Sequence, residues 1–155
     1  MGKLKFLLSV VSAVLLMFSF VIASSAEEMS GVAKGKSELM EKCGKCHKVD
    51  RPLSKSKTKE EWDKTVKRMQ SKAKDSISDE NVNNIVLFLS TKSLFDKKCA
   101  ECHKTDRALG KNKNREGWTK TVQRMRKKKI MFDKTWMSEE EETNIIDYLS
   151  SERGE

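Results

Sequence analysis

The chain has 155 residues, 35% of them charged, and a formal net charge of +9 at pH 7. That length leaves room for one ordinary domain or two very small ones. After residue 26 no segment is apolar enough to span a bilayer, so a protein with several membrane-spanning helices is excluded.

The first predicted element is an export signal at residues 1–26. Lys3 and Lys5 precede a continuous apolar run, Phe6–Ile22, and the small residues 24–26 follow as a cleavage site. We expect a mature chain that starts near Glu27 and lies in the periplasm or is otherwise exported. The alternative is that the segment stays uncleaved and anchors the protein in a membrane.

The cysteines and histidines fall into two short motifs, CGKCH at residues 43–47 and CAECH at residues 99–103, which use all four Cys and both His. Exported cysteines are by default expected to form disulfides, but C-x-x-C-H is the attachment signature of c-type haem. Positions i, i+3 and i+4 share one helical face, so two thiols reach the vinyl groups of one porphyrin and the adjacent imidazole reaches the iron. The predicted attachment residues are Cys43, Cys46, Cys99 and Cys102, and the predicted proximal ligands are His47 and His103.

Two other interpretations of these motifs are weaker. A dithiol redox motif needs no following His and usually lies between a strand and a helix, a context that is absent here. A zinc site would find only three ligands in each motif and would have to share ligands between the motifs. We therefore predict two haem c groups per chain.

The two motifs open two copies of one unit. Residues 43–69 and 99–125 align without gaps and are identical at 16 of 27 positions. The second copy then has a four-residue insertion, expected in the loop that contains Met131 and Met137, before the copies rejoin at Ser78 and Ser138. This self-similarity predicts a tandem repeat, with unit 1 at residues 27–91 and unit 2 at residues 92–155.

Each unit is predicted to contain about three helices and no strand, which makes the fold all-α. A first helix leads into the attachment motif, and a loop follows the motif. The middle helix of unit 1 carries Trp62, Val66 and Met69 at i, i+4 and i+7, with a capping box that starts at Thr58. Unit 2 repeats this pattern, with Asn114 as the cap.

The last helix of each unit starts at Ser78 or Ser138 and has an apolar stripe that is expected to face the core. Only residues 90–92 separate the last helix of unit 1 from the first helix of unit 2, so the units are expected to pack closely. The predicted buried residues are Val82, Ile85, Val86, Leu89, Ile145, Ile146 and Leu149.

With these motifs, each unit resembles a short class I cytochrome c, and the tandem is similar to the small bacterial dihaem cytochromes c. The resemblance covers essentially the whole chain after the export signal. It implies an N-terminal helix packed across a C-terminal one, His as the proximal ligand and a downstream Met as the distal ligand. Pro52 stands about where the family has a proline near the proximal His, whereas unit 2 departs from that pattern with Ala108.

A second His cannot be the distal iron ligand, since both His of the chain are used as proximal ligands. The remaining candidates are Met, Lys, a small exogenous ligand or an open position. Met69 is the only Met after the motif in unit 1, and repeat equivalence selects Met125 in unit 2, with Met131 and Met137 as competitors. The alternative is that Met69 and Met125 merely fill an apolar stripe of the middle helix.

Trp62 and Trp118 stand at equivalent positions of the two units and are expected to pack against the porphyrin. A buried indole N–H needs an acceptor, and a haem propionate is one candidate.

Positive charge is concentrated in unit 2. Residues 104–134 have a net charge of +9 and residues 135–155 a net charge of −6. The basic stretch Arg124–Lys129 predicts a docking surface for an acidic redox protein, because complementary charge raises encounter rates. The alternative is an ordinary solvated helix face, and nucleic acid is not an expected partner of an exported haem protein.

The predicted function is relay of single electrons between redox partners, by a free carrier or by the electron-transfer subunit of a larger oxidoreductase. An iron with both axial positions filled by protein groups has no open position for a substrate, so the chain is not expected to be an enzyme. The alternative is a dihaem peroxidase-like enzyme or a gas sensor, either of which requires one haem iron with an open position.

Overall fold

The computed structural model describes residues 29–73 and 76–152, so the predicted export signal lies outside the described residues. Within these ranges all regular secondary structure is helical, which confirms the all-α prediction. No helix in them is both long and apolar enough to cross a membrane. In chain order the elements are α1 (Gly31–Glu38), a π-helical turn (Leu39–Cys43), α2 (Asp50–Leu53), α3 (Lys59–Gln70), α4 (Asp79–Ala100), α5 (Asp106–Leu109), α6 (Arg115–Ile130) and α7 (Glu139–Ser151).

The middle helices α3 and α6 begin at the predicted capping residues. The Thr58 hydroxyl accepts the Glu61 backbone N–H at 3.3 Å, and the Glu61 carboxylate accepts the Thr58 N–H at 2.9 Å, which completes the capping box. In unit 2 the Asn114 side chain accepts the Gly117 N–H at 2.9 Å. Local side-chain chemistry therefore sets where both helices start.

The insertion in unit 2 lies in a helix and not in a loop, so that prediction was wrong. α3 has 12 residues and α6 has 16, while the segments that follow, residues 71–77 and 131–137, are equally long. The four extra residues, 127–130, form one additional helical turn. Lys127, Lys128 and Lys129 propagate a helix well and favour its negative C-terminal end, which explains why the helix absorbs them.

Two short helices lie where the sequence predicted only a loop. α2 and α5 each contain four residues and follow the attachment motifs. Pro52 fits within α2 because N–H groups in the first turn of a helix have no intrahelical acceptor, so its missing donor is not needed. Both helices direct the chain from the motif towards the middle helix.

α4 is one helix of 22 residues and serves both units. The sequence pattern predicted two helices separated at residues 90–92, which was wrong, because Ser90, Thr91 and Lys92 are all helical. None of them is Gly or Pro, and Thr91 is buried, so packing continues the helix across this segment. The predicted unit boundary between residues 91 and 92 lies inside α4.

The first half of α4 is crossed by α1 at Gly35. A Cβ atom on Gly35 would lie 2.0 Å from the Asn84 carbonyl oxygen, so the two backbones approach more closely than any other residue allows. The middle and second half of α4 pack against α7, where the Tyr148 ring lies 5.7 Å from Phe88 and 5.3 Å from Phe95 between ring centroids. The predicted buried residues of both last helices are confirmed to be buried.

The two units share one core. α7 of unit 2 also contacts α1 of unit 1, where Lys36 Nζ donates to the Ser151 carbonyl at 2.7 Å and lies 3.0 Å from the Glu152 carboxylate. Since α4 belongs to both units and α1 touches α7, unfolding of one unit removes packing surface from the other. We expect the pair to unfold cooperatively.

Candidate functional site

Each unit contains a cavity bounded by its attachment motif, its short helix, its middle helix and its last helix. The cavity of unit 1 has a volume of about 510 Å³ and that of unit 2 about 320 Å³. Cavities of this size hold small molecules and cofactors. The walls are nearly equivalent position by position, so the repeat seen in the sequence is also a repeat of the site.

Most of the predicted site residues line these cavities. The first cavity is lined by Cys43, His47, Trp62 and Met69, and the second by Cys99, His103, Trp118 and Met125. The second cysteines of the motifs, Cys46 and Cys102, are exposed and lie outside the cavity walls.

The sequence suggested that each attachment motif lies on one continuous helical face. In the structure each motif instead lies at the end of a helix. The helix stops at Cys43 in unit 1 and at Ala100 in unit 2, and the second cysteine falls in the following turn. In unit 1 the His47 N–H still reaches the Cys43 carbonyl at 3.4 Å, so the spacing of about one helical turn is kept. The second cysteine of each motif therefore lies in an exposed turn next to the residues that line the cavity.

The two motif histidines have the same hydrogen-bond environment. His47 Nδ1 lies 3.1 Å from the Lys48 carbonyl oxygen, and His103 Nδ1 lies 3.2 Å from the Lys104 carbonyl oxygen. A carbonyl oxygen only accepts, so each contact requires the proton on Nδ1. In the neutral imidazole this tautomer leaves the lone pair of Nε2 available to bind a metal.

The first cysteine of each motif has a raised pKa. Burial raises the pKa of Cys43, with a further contribution from Cys46. Burial raises the pKa of Cys99 to about 11, and the negative charge of Asp96 adds to the effect. At neutral pH both side chains are uncharged thiols, which suits the apolar part of the cavity wall.

Among the described residues, the charged side chains in both cavity walls are cationic. The first cavity has five of them and the second has four at equivalent positions, and no described carboxylate lines either wall. They are Arg51, Lys55, Lys57, Arg68 and Lys72 in unit 1, and Arg107, Lys111, Lys113 and Arg124 in unit 2. Apolar walls with cations and no acids fit a ligand that is largely apolar and carries negative groups at its edge.

A lysine covers each cavity tryptophan, and sequence reasoning missed both lysines. Lys57 Nζ lies 4.9 Å from the centre of the Trp62 ring and donates to Thr65 Oγ1 at 2.8 Å. In unit 2, Lys113 lies 5.3 Å from the centre of the Trp118 ring and makes the corresponding threonine contact at 2.6 Å. Identity of these lysines between the copies was the signal that could have identified them.

The two tryptophans differ in their indole N–H groups. Trp62 Nε1 donates to Ser93 Oγ at 3.0 Å, so this N–H is not available to a ligand, contrary to the expectation from the sequence. Trp118 Nε1 is buried and has no hydrogen-bond partner among the described residues. A buried donor that no protein group satisfies fits an anionic ligand group at the second cavity.

The structure separates the methionines that compete at the second cavity. Met131 is 77% exposed and is not among the cavity-lining residues. Met125 and Met137 both line the cavity, with 37% and 3% exposure. Met137 occupies the position of Ile77 in unit 1, directly before the N-cap of the last helix.

A polar network that is specific to unit 2 fastens its motif to the segment after α6. Glu101, inside the motif, accepts Trp136 Nε1 at 3.2 Å and lies 2.9 Å from Lys129 Nζ. Its hydrogen bond to Lys129 is the main cause of the lowered pKa of Glu101 and of the raised pKa of Lys129. Lys98 donates to the Trp136 carbonyl, and the Trp136 side chain lines the second cavity.

The cavities fit haem better than a bare metal ion. Within residues 29–73 and 76–152 no cluster of three or more His, Cys, Asp or Glu could hold a metal ion, which weakens the zinc interpretation. Haem needs an apolar wall, an axial donor and cations for its propionates, and each cavity provides all three.

Comparison with known families agrees with this arrangement. Residues 33–94 and residues 90–155 each match the family described as quinohemoprotein amine dehydrogenase A, alpha subunit, haem binding. The overlap of the two matches, residues 90–94, falls in the helix α4 that both units share. Comparison with curated proteins and with solved structures gave no significant match. The two matches together span the chain from residue 33 to its last residue, and the chain therefore belongs to this haem-binding family, as two tandem copies.

Proposed function

We propose that the protein is an exported dihaem c-type cytochrome that relays single electrons between redox proteins. The observation that carries this proposal is the pair of equivalent cavities, each with the first cysteine and the histidine of a C-x-x-C-H motif in its wall and at least one methionine thioether. A bound haem supplies one-electron chemistry at its iron. The protein supplies attachment, axial donors and electrostatics.

The thiols of each motif would attach one porphyrin through thioether bonds, and Nε2 of His47 or His103 would be one protein donor to its iron. Met69 and Met125 would be the second donors. Unit 1 supports Met125 over Met137 in unit 2, because the unit 1 residue at the position of Met137 is Ile77, which has no donor atom. An iron with two protein donors would have no open position for a substrate, so the chain would carry electrons and not act as an enzyme.

Cations in the walls neutralise the propionates, and the two units place them alike. Arg51, Arg68 and their counterparts Arg107 and Arg124 are the strongest candidates, since a guanidinium binds a carboxylate through two parallel hydrogen bonds. In unit 2, the open N–H of Trp118 adds a donor that unit 1 lacks.

An acidic redox protein is the proposed partner, and its docking surface is the end of α6. Lys127 and Lys128 are exposed and form no ion pair within the described part of the chain. Lys129 is held by Glu101 and Arg126 lies 3.0 Å from Glu142, so these two cations act within unit 2. Exposed, unpaired lysines steer an acidic partner by long-range attraction.

The first test is haem content. The chain, expressed with its export segment in a host that matures c-type cytochromes, should carry two haems that survive acid–acetone extraction and give a c-type pyridine haemochrome. Cys43→Ala and Cys99→Ala should each lower the haem content from two to one, in different units. Two pairs of free thiols in correctly exported protein would contradict the proposal.

A second measurement separates a carrier from an enzyme or sensor. Ferrous wild-type protein should not bind carbon monoxide, since both irons have two protein ligands. Stoichiometric binding of carbon monoxide at one haem would instead favour a peroxidase-like enzyme or a gas sensor. N-terminal sequencing of the exported protein tests the cleavage expected before Glu27.

A further inference from the structure

The segment between α6 and α7 exposes two large apolar side chains. Met131 is 77% exposed and Phe132 is 89% exposed, more than any other large apolar residue in the described part of the chain. We call this pair the apolar tip. Unit 1 has Ser71 and Lys72 at the equivalent positions, so only unit 2 has such a tip.

Hydrogen bonds keep the apolar tip ordered. The backbone N–H groups of Phe132 and Asp133 both donate to the Lys129 carbonyl at 3.0 Å. Asp133 Oδ1 accepts the Thr135 N–H at 2.9 Å and its hydroxyl at 2.8 Å, and the Trp136 N–H reaches the Asp133 carbonyl at 3.2 Å. An ordered turn presents Phe132 to solvent with little further entropy to lose on binding.

The apolar tip is tied to the second cavity. Trp136, four residues after Phe132, is buried and lines that cavity, and its indole N–H binds Glu101 within the attachment motif. Four residues span at most about 14 Å of extended chain, so a molecule seated on the tip lies close to the cavity. Contact here brings a partner near the second cavity.

Charges of opposite sign flank the apolar tip. Exposed Lys127, Lys128 and Lys134 lie on its N-terminal side and beside it, and the exposed carboxylates Glu139 and Glu140 begin α7 on the other side. An anionic bilayer would attract the lysines and repel the carboxylates, and two side chains are a small apolar area for insertion. A protein surface can match both signs, and electron-transfer complexes are small and transient.

We propose that an acidic electron-transfer protein docks on the apolar tip, with Phe132 in an apolar pocket whose carboxylates lie on the side that faces Lys127 and Lys128 and not on the side that faces Glu139 and Glu140. This inference rests on the proposed electron-carrier function. It adds that electrons pass to or from that partner at unit 2. Phe132 supplies the buried anchor of the complex, and the lysines orient the encounter.

The experiment measures electron transfer to an acidic single-copper carrier protein that has an apolar patch over its metal. Stopped-flow absorbance gives the second-order rate constant with the fully haem-loaded chain. Phe132→Ser should lower that constant about tenfold, as expected for loss of an interface anchor. Leu109→Ser is the matched control, because Leu109 is 40% exposed in the same unit but belongs to α5 and not to the segment between α6 and α7, and it should change the rate less than twofold.

Charge is tested with a matched pair of double variants. Lys127→Gln with Lys128→Gln should lower the rate at low salt and flatten its salt dependence, since exposed charges are screened within about 10 Å at 0.1 M salt. Lys59→Gln with Lys64→Gln removes the same charge from exposed positions of unit 1 and should leave the slope close to that of wild type.

Three results would overturn docking at the apolar tip. They are an unchanged rate for Phe132→Ser, an equal effect of Leu109→Ser, and binding of wild type but not Phe132→Ser to phosphatidylserine vesicles while the carrier rate stays the same. The last result would identify the tip as a membrane contact. Haem spectra of each variant distinguish this failure from failure of the proposed function, which would show as missing covalent haem in wild type.

Discussion

Unit 1 and unit 2 have nearly the same cavity walls but differ between the end of the middle helix and the start of the last helix. In unit 1, Gln70 at the end of α3 donates to the Ile77 carbonyl at 3.2 Å and to Asp79 at 2.8 Å. In unit 2 the equivalent residue is Arg126, which donates to the Met137 carbonyl at 3.2 Å. Both side chains donate a hydrogen bond to the carbonyl of the residue directly before the N-cap of the last helix. The two units therefore share this contact, although its donor is neutral in unit 1 and cationic in unit 2.

The larger difference is the extra turn of α6. It adds Lys127, Lys128 and Lys129, and it is followed by the apolar tip and by Trp136, none of which has a counterpart of the same type in unit 1. Most residues that line the cavities are kept, whereas the segment after the middle helix diverges. The comparison teaches that the repeat duplicates a haem-binding unit, and that in this segment only its second copy exposes large apolar side chains, beside lysines that are unpaired in the described part of the chain.

The largest expected effect concerns the distal donors, where the units should respond alike. Met69→Ala and Met125→Ala should each remove about half of the weak red absorption band of ferric iron–sulfur bonds, and each should open one iron to carbon monoxide. Met137→Ile gives unit 2 the residue of unit 1 and should leave the band intact. If Met137→Ile removes half of the band and Met125→Ala does not, the second donor is Met137 and the repeat equivalence fails there.

The next effect concerns the crossing of α1 and α4, where unit 1 has Gly35 at the point of closest approach and unit 2 has no glycine at the equivalent position. Gly35→Ala places a methyl group 2.0 Å from the Asn84 carbonyl oxygen, so α1 has to move off α4, and we expect a loss of about 3 kcal/mol in the free energy of unfolding. Denaturant unfolding followed by circular dichroism measures this loss.

Thr91 is the equivalent position in unit 2 and supplies the control. Thr91→Ala removes a few buried atoms without a clash, and we expect a loss of about 1 kcal/mol. Equal losses for the two variants would mean that the crossing at Gly35 has room that its geometry does not suggest.

A smaller effect is expected at the attachment motifs. Unit 1 enters its motif through a π-helical turn, and a Cβ on Gly44 would lie 2.4 Å from the Met40 carbonyl oxygen. Gly44→Ala should therefore cost about 2 kcal/mol and lower haem attachment in unit 1. Ala100→Gly, the reverse change in the α-helical entry of unit 2, should cost no more than about 1 kcal/mol. Mass spectrometry of each motif peptide checks attachment, and normal attachment in Gly44→Ala would count against this account.

The smallest effect distinguishes the two tryptophans. Trp62→Phe removes the hydrogen bond to Ser93 and should cost about 1 kcal/mol of stability without shifting either haem potential. Trp118→Phe removes an N–H that no described protein group uses, and we expect it to lower one haem potential by a few tens of millivolts. A propionate that loses this donor keeps more of its negative charge, and that charge stabilises ferric iron relative to ferrous iron. Spectroelectrochemical titration measures both potentials, and a shift in Trp62→Phe alone would reverse the assignment.

Local chemistry made part of the fold and of the site predictable from the sequence. The capping residues Thr58, Asn114 and Ser138 lie within three residues of the groups they bind, so the starts of the helices could be predicted from short patterns. The two C-x-x-C-H motifs could be recognised for the same reason, because each spans only five positions, and haem attachment at them stays a prediction. The tandem repeat followed from comparing the chain with itself.

Contacts between distant residues decided the rest. The continuity of α4 depends on packing of Thr91 and Ser93 in a core that both units share, and no residue near 91 signals it. The bond from Trp62 to Ser93 joins residues 31 apart, and that from Lys98 to Trp136 joins residues 38 apart. Their partners are chosen by the way helices meet, which a short pattern does not contain.

The sequence by itself determined the all-α class, the repeat and the uneven charge, because each depends on the identity and spacing of neighbours. Its assignment of individual residues to haem stays a prediction. Only the tertiary structure decided that Met137 and not Met131 reaches the second cavity, that the insertion lengthens α6, and that Phe132 stays in solvent while Trp136 is buried. Whether a side chain reaches a cavity depends on the length of the helix before it and on the direction in which the helices pack. Residues of one short segment can therefore face solvent or the cavity, and the spacing of the residues alone does not say which.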